Sequence, residues 1–452
     1  MILPMARPTP LSGFPEWLPG DRAVERAVID SLRRTFELHG FSEIETRAVE
    51  PVTQLTQQGE TSKEVYVISR LHDESGGGEA RLGLHFDLTV PLARYVLEHA
   101  GQLVFPFKRY QIQKVWRGER PQDGRFREFY QADIDVIGAQ ELPFHYEVEL
   151  PLVMAEALTA LPLPPIRMVV NNRKVAEGFY RGIGIEDVPA TLRAVDKLAK
   201  IGSEAVIAEL VEAKIASAAQ AEQVLALAKI NGSDESVAQR VHDLGVSSEL
   251  LSEGLSELTA LITAAHERLP GVIAADLSIA RGLDYYTGSV FETTLEGHED
   301  LGSICSGGRY DSLARAGNRI YPGVGLSIGV SRLVARMLSA DMVRINRAVP
   351  TVVLVALAAE EERGAAQGIA HTLRQRGIAA DVAPTAAKFG RQIRHADRLG
   401  IPYVWFPGRD GEPDEVKDIR SGDQVAATAT TWQPPSQDLR QHLVPGEVPG
   451  TD

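Results

Sequence analysis

The chain has a single cysteine, Cys305, among 452 residues. That excludes an intramolecular disulfide and any cysteine-built zinc cluster, and it fits a reducing compartment. Positive charge is in deficit: 47 Lys and Arg stand against 61 Asp and Glu, a formal net charge of -14. Coating nucleic acid by bulk charge is thereby excluded, although a local basic patch is not. Long apolar runs are missing. Stretches such as Thr351 to Ala359 are too short to span a bilayer. Met1 to Pro10 lacks a charged-then-apolar signal pattern. The expectation is a soluble cytoplasmic protein with no membrane partner. The GxxxxGK[ST], strand–helix GxGxxG, HExxH and GxSxG signatures are absent too. A nucleotide site would have to lie on an antiparallel sheet, with arginines holding the phosphates.

The length is that of roughly three domains. Val24, Val28, Leu32 and Phe36 recur every four residues, predicting a helix over 22–39 that His39-Gly40 stops. A strand is expected from Phe41 to Val49, broken by Pro51. Gly76-Gly77-Gly78 marks a turn, and Leu82 to Thr89 reads as the returning strand. Pro91 opens a helix. Two strands within 104–138 flank a polar loop at 118–127, and a helix is expected over 143–160. From 175 to 268 alanine, leucine, valine and glutamate dominate and aromatics nearly vanish, which predicts a helical insertion between two β-rich blocks of one core. The second block runs from Leu277 to about Arg309, with a helix at 329–339 and a linker at 342–350. Strands and helices then alternate to Phe406, predicting a small α/β domain with a mainly parallel sheet. The tail after Trp432 is rich in proline and polar residues and is expected to be loose.

Several patches carry chemistry. Arg281-Gly282-Leu283-Asp284-Tyr285-Tyr286 opens a strand rich in aromatic and β-branched residues, and Gly288 interrupts its side chains. A strand glycine weakens pairing unless something must approach the backbone there. The loop Arg117 to Arg127 holds Arg117, Arg120, Arg125 and Arg127. Guanidinium forks suit phosphate oxygens, although four arginines alone equally make a solvated hairpin. Gln131, Asp133 and Asp135 lie two apart, on one face of a strand. They line either the wet side of a sheet or a pocket for a cationic or amide-bearing ligand. Asp87 and Thr89 share a face in the same way; they could hold an ammonium group, although alone they read more readily as a solvated edge. Ser306-Gly307-Gly308-Arg309-Tyr310-Asp311 contains paired glycines that permit a tight turn or a close backbone approach. Cys305 beside it reads as a small buried residue. Arg332 falls in the first turn of a helix, where the macrodipole favours anions; a phosphate would justify it, and so would a snorkelling surface position.

Together these patches resemble a class II aminoacyl-tRNA synthetase, and within that class the histidyl-tRNA synthetase family, over nearly the whole chain. Arg117-Gly118-Glu119-Arg120 with its strands resembles the class's motif 2. Gly325 to Leu333 resembles motif 3. The helix and strand ending at Pro51 resemble motif 1, which builds a dimer interface in this class. Arg281 to Tyr286 and Ser306 to Asp311 resemble the two histidine-specific signatures. The resemblance implies an α+β fold: an antiparallel sheet flanked by helices, with a helical insertion and a C-terminal α/β anticodon-binding domain. It implies core segments 1–174 and 269–342, an insertion at 175–268, an anticodon-binding domain at 350–432 and a flexible tail at 433–452.

The resemblance also assigns roles. Arg117 and Arg332 would grip the ATP phosphates, Glu119 would contact the adenine, and Arg125 is a further phosphate candidate. Asp87, Thr89, Gln131 and Asp135 would hold the histidine amino group and side chain, with Tyr285 and Tyr286 completing the imidazole pocket. Arg281 would sit between the histidine carboxylate and the α-phosphate as the electrostatic catalyst. Magnesium would accompany ATP as a substrate-bound ion. Lys388, Arg391, Arg394 and Arg398 form a basic stripe on one helix, implied to contact tRNA(His). A homodimer is implied. His85 departs from the family, which usually has arginine there, so a phosphate or carboxylate contact at that point does not carry over. The competing reading is a synthetase-like, histidine-binding regulatory subunit of ATP phosphoribosyltransferase. Such paralogues typically lose the Arg281-type signature and the anticodon domain. A synthetase-like amino-acid sensor is a third reading, but no fused effector domain accompanies it.

Overall fold

The computed structural model describes residues 9–56, 64–69, 81–122, 124–280, 286–409 and 411–446. The chain forms two compact units, one containing Ile29–Arg336 and the other Glu16–Val28 with Met337 onwards.

The first unit is built on a nine-stranded sheet. Its centre is an antiparallel run in the order Phe107–Trp116, Glu128–Ile137, Arg319–Gly329, Cys305–Ala316, Tyr286–Leu295 and Ile166–Asn172. Among the described residues, the parallel pairings of this sheet lie towards its edges, where Ser42–Glu43 joins Phe107–Trp116 and Ile273–Asp276 joins Ile166–Asn172. The fold is α+β, as expected. Alternation decides the faces. Ala132, Ile134 and Val136 are fully buried on one side, and Gln131, Asp133 and Asp135 point to the other. The helix His145–Thr159 packs against this sheet and buries Leu150, Met154 and Leu158. Helix Pro19–Leu38 buries Val24, Val28, Leu32 and Phe36, the four residues whose spacing predicts it.

Three local expectations need correction. The strand expected over 41–49 is two short strands in different sheets: Ser42–Glu43 joins the large one, and Val49–Pro51 pairs with Leu82–Leu84 in a separate three-stranded sheet. Pro51 ends its strand rather than standing outside it. The strand expected over 82–89 stops at Leu84, and helix Thr89–His99 takes up the rest. Asp87 explains the change, because its Oδ1 accepts a hydrogen bond from the Val90 amide at 3.1 Å and closes the first turn. The triple-glycine turn lies outside the described residues.

Residues 175–268 are helical, as their composition predicts. Ser217 and Gln220 make a capping box, and Ser248 caps Glu249–Arg268 by accepting from the Leu251 amide at 3.1 Å. Asn231–Gly232, expected only as a helix break, also adds a two-residue strand beside Ile273–Asp276.

In the second unit the strand order is Ala380–Val382, Val353–Val355, Tyr403–Phe406, Glu415–Asp418 and Gln424–Ala426. The first three are parallel and the last two antiparallel. Val353, Val355, Leu373 and Trp405 are buried in its core. The expected linker and loose tail are tied together here: Val343–Ile345 pairs with Leu443–Pro445. Asp438, 3% exposed, accepts from the Tyr403 hydroxyl at 2.7 Å and pairs with Arg420 at 2.8 Å. Composition made the tail look unanchored; one buried carboxylate anchors it.

Candidate functional site

The strand pair Phe107–Trp116 and Glu128–Ile137 is joined by the arginine-rich loop. Gln122 and Arg125 exchange backbone hydrogen bonds and close its tip, with Gly124 at a positive φ of 66°. A side chain at 124 would run into Leu301 and Arg332, so the tip lies close over the start of helix Val330–Ser339. This juxtaposition makes a cleft of about 250 Å3, lined among others by Arg117, Glu119, Arg125, Phe129, Gln131, Ser306, Ser327 and Arg332.

The cations of the cleft are held in place. Arg117 donates from Nε to the Phe86 carbonyl at 3.0 Å and lies over the Phe129 ring, 5.2 Å from its centroid. Arg332 donates to the carbonyl oxygens of Ser303, at 2.8 Å, and Leu301. It is therefore no snorkelling surface group. Arg125 stands at the mouth, half exposed, 3.8 Å from Glu119. The Glu64 carboxyl is raised above the usual range by burial and by the nearby Glu119 charge. Arg127 instead braces the loop, donating to the Glu119 carbonyl at 3.1 Å.

Below the cleft, on the same face, lies a row of buried polar groups. Gln131, Asp133 and Asp135 are 8%, 2% and 2% exposed, which decides against a wet sheet face, and Gln131 borders the cleft. Asp135 pairs with the wholly buried Arg109 at 2.6 Å and accepts from the Tyr310 hydroxyl at 2.6 Å. Asp133 accepts from the Ser327 hydroxyl, and Ser327 accepts from Gln131 Nε2 at 2.8 Å. Asp87 is buried beside this group, within reach of the charges of Arg117, Arg109 and Asp135. Burial pushes the Asp87 carboxyl up to about 6, against the pull of the Val90 amide and the two arginines. Burial likewise pushes Asp133 up to about 7, with Arg109 opposing and Asp135 adding to the shift. Asp135 is raised by burial and held back by Arg109 and Tyr310. Three carboxyls around one wholly buried guanidinium suit a cationic ligand.

Most of the residues singled out from sequence converge here: Arg117, Glu119, Arg125, Gln131 and Arg332 on the cleft, and Asp87, Asp133 and Asp135 in the row beneath. Thr89 is the first residue of helix Thr89–His99, so it does not share a strand face with Asp87. Tyr286 begins its strand opposite Tyr310 and packs on Gly308. Arg281 and Tyr285 lie outside the described residues. His85 is a core residue: fully buried, it donates from Nε2 to the Lys114 carbonyl at 2.7 Å and faces the Trp116 ring. Burial lowers its pKa. Cys305 is buried too, and burial raises its thiol.

The expected close approach at Gly288 exists, but protein fills it. The Arg309 side chain and the Glu147 carboxylate occupy the space of a side chain at 288. Glu147, 1% exposed, pairs with Arg309 at 2.8 Å and accepts from the Ser289 amide at 3.0 Å, where the strand register shifts. Arg109, Tyr310 and Ser327 were not assigned roles from sequence. Arg109 could have been found by pairing the strands, since it sits directly opposite Asp135.

In the second unit, helix Phe389–Leu399 exposes Arg391, Arg394 and Arg398, with Lys388 exposed at its start. Gln392 and Ala396 face inward. The basic stripe is therefore presented outward, as the spacing predicts.

Comparison with known proteins bears on all of this. A family model described as histidyl-tRNA synthetase matches residues 13–333, and an anticodon-binding domain model matches 351–427. A histidine–tRNA ligase of Micrococcus luteus is 60% identical over 449 residues, covering 96% of this chain and 98% of that one. The corresponding ligase of Thermobifida fusca is 51% identical over 429 residues, covering 94% and 98%. Among solved structures, a histidyl-tRNA synthetase from Nostoc sp. PCC 7120 superposes with a TM-score of 0.84 at 36% identity, covering 94% and 98%. A Bacillus halodurans structure titled as an ATP phosphoribosyltransferase regulatory subunit/histidyl-tRNA synthetase shares the fold, with a TM-score of 0.70 at 20% identity over 87% of this chain and 97% of that one. Matched over residues 13–333 by that family model, and 60% identical over nearly its whole length to a histidine–tRNA ligase, the chain belongs to the histidyl-tRNA synthetases.

Proposed function

We propose that the cleft and the buried row beneath it form one active site, in which histidine is activated by ATP and then passed to tRNA(His). The observation that carries this reading is the adjacency of two opposite environments. Arg117 and Arg332 bound a cleft suited to phosphates, and from Gln131 at its edge a row of buried carboxyls, Asp133 and Asp135, continues along the same strand face and would suit a cationic amino acid.

In the first step a histidine carboxylate oxygen attacks the α-phosphorus of ATP, the bond to the bridging oxygen breaks, and pyrophosphate leaves. Arg117 and Arg332 would hold the phosphates, with Arg125 at the mouth and Glu119 beside the adenine. Arg281 would face the charge that develops on the α-phosphate. Fixed cations aimed at such charge act strongly where water is excluded. In the second step a hydroxyl of the 3′-terminal ribose of tRNA attacks the aminoacyl carbonyl carbon, and AMP leaves. Asp87, Thr89 and Gln131 would take the amino group. Asp135, Tyr285 and Tyr286 would take the imidazole. Magnesium would enter bound to the triphosphate. Glu119 is a carboxylate of the cleft that could share in holding it, and among the described residues no group of three or more His, Cys, Asp or Glu forms a metal cage. Lys388, Arg391, Arg394 and Arg398 would contact the tRNA.

The working protein is proposed to be a cytoplasmic homodimer. Its catalytic core would comprise 1–174 and 269–342, interrupted by the insertion at 175–268, with an anticodon-binding domain at 350–432. No described helix is long and apolar enough to cross a membrane. The regulatory-subunit reading is not favoured, since the Arg281 signature stands in the sequence and an anticodon-binding domain is matched.

The test is histidine-dependent exchange of pyrophosphate into ATP, followed by charging of tRNA(His). Folded protein that binds histidine but neither exchanges nor charges would support the regulatory reading instead.

A further inference from the structure

We infer that Asp133 and Ser327 are positioning residues that fix which end of the Gln131 side-chain amide meets the bound amino acid. This rests on the reading that the pocket takes histidine.

The argument is one of donors and acceptors. An ionised carboxylate can only accept hydrogen bonds. Asp133 stands directly opposite Ser327 across the strand pair and takes the proton of its hydroxyl. With that proton committed, Ser327 can only accept from Gln131. Gln131 accordingly turns its NH2 end to Ser327, at 2.8 Å. The carbonyl end, Oε1, is buried and has no hydrogen-bond partner among the described residues. A buried acceptor without a partner is costly unless a ligand donor meets it.

The same reasoning indicates which ligand group that is. Gln131 borders the phosphate cleft, and Asp135 lies two strand spacings deeper, about 13 Å along the chain. The carboxylate of the amino acid must lie at the phosphate end to react. Its ammonium group is one carbon away and so falls near Gln131, while the side chain runs towards Asp135. An ammonium group only donates, and a carbonyl oxygen is the end of the amide it can use. Without Asp133 and Ser327 the amide is free to turn. Its NH2 end would then face an ammonium group, which has no acceptor to offer.

The relay predicts a loss confined to ligands with an amino group. The experiment is titration calorimetry on the full-length chain at pH 8, with L-histidine and with its des-amino analogue, 3-(imidazol-4-yl)propanoate. Ser327→Ala should weaken L-histidine roughly 5- to 30-fold and leave the analogue within about twofold. Asp133→Asn should weaken L-histidine less, because asparagine can accept or donate and leaves both orientations open. Adding Gln131→Glu to Ser327→Ala should restore most of the lost affinity, since a carboxylate has no donor end to present wrongly.

Wild-type affinity in Ser327→Ala with a loss in Asp133→Asn would mean that the carboxylate acts by charge alone, and would overturn the relay. Equal losses for both ligands would overturn it too, by showing a general loss of the pocket. Wild-type protein that binds neither compound overturns the histidine reading and the relay with it. That failure appears before any substitution is made.

Discussion

Gly325 lies opposite Asp135 across the central strand pair, and the Asp135 carboxylate fills the space that a side chain at 325 would need. The missing side chain lets Asp135 lie flat enough to reach Arg109 and Tyr310, both at 2.6 Å. Gly325→Ala should push the carboxylate off both partners. The expected outcome is a fall in histidine affinity of at least tenfold, and a stability loss of about 1–3 kcal/mol from overpacking. Calorimetric titration and thermal melting measure the two. Unchanged affinity would remove Asp135 from the list of ligand contacts.

That relationship also marks how far the sequence could be read. The two-residue spacing of Gln131, Asp133 and Asp135 put them on one face, and burial then ruled out the wet surface. The spacing could not reveal Arg109. It lies 26 positions before Asp135 and becomes its neighbour only through strand register. Asp87 and Thr89 misled because alternation in a short segment looks like a strand. What decides there is the Asp87 carboxylate closing a helical turn onto Val90. Gly288 was legible as a close approach, but nothing local says that the approaching groups are Arg309 and Glu147 rather than a ligand. The tail failed for the same reason: Asp438 is polar in composition and buried only through Tyr403 and Arg420.

Arg332 combines two tasks, since it is tied to the carbonyls of Ser303 and Leu301 while bordering the cleft. Arg332→Ala should lower kcat/KM for pyrophosphate exchange by about 100-fold or more, the scale for losing a fixed charge aimed at a transition state. Arg332→Lys should recover little, because an ammonium group cannot span both carbonyls and a phosphate as a planar fork can. Steady-state exchange kinetics in ATP decides this. Full recovery by lysine would reduce the role to charge alone.

Asp133 carries a pH signature. Its folded pKa, about 7, lies above the ordinary 3.8 because of burial, with Asp135 and Asp87 raising it and Arg109 and Ser327 lowering it. Between 3.8 and about 7 the folded chain keeps a proton that the unfolded chain has released. Stability therefore falls as pH rises through that window. Asp133→Asn removes this dependence. Relative to wild type, the variant should gain stability between pH 5 and pH 8, by an amount on the order of 2–4 kcal/mol. Paired melting curves across that range test it. A constant difference would show that Asp133 has an ordinary pKa.

Asp438 should hold the second unit together. Its carboxylate serves Tyr403 and Arg420 and lies near the buried guanidinium of Arg347, whose Nε and Nη1 have no hydrogen-bond partner among the described residues. Asp438→Asn would leave Arg347 without its counter-charge and Arg420 with Asp418 alone, at 2.7 Å. With Arg420 half exposed, a loss of roughly 2–4 kcal/mol is expected. The melting transition followed through Trp405 and Trp432, which stack edge-on at 5.7 Å, should shift down. No shift would mean that Asp418 suffices for Arg420 and solvent for Arg347.

The basic stripe makes the last prediction. Arg391, Arg394 and Arg398 are exposed on a helix whose Gln392 and Ala396 hold it to the second unit, so replacing the arginines disturbs no packing. If they meet tRNA phosphates, each releases counterions on binding, and each lost contact should flatten the slope of log affinity against log salt by about 1. The triple alanine variant should therefore bind tRNA(His) more weakly at low salt and respond less to added salt. Aminoacylation should fall with it, and more than pyrophosphate exchange does. A variant whose salt slope equals that of the wild type would move the tRNA contact off this helix, whatever its absolute affinity.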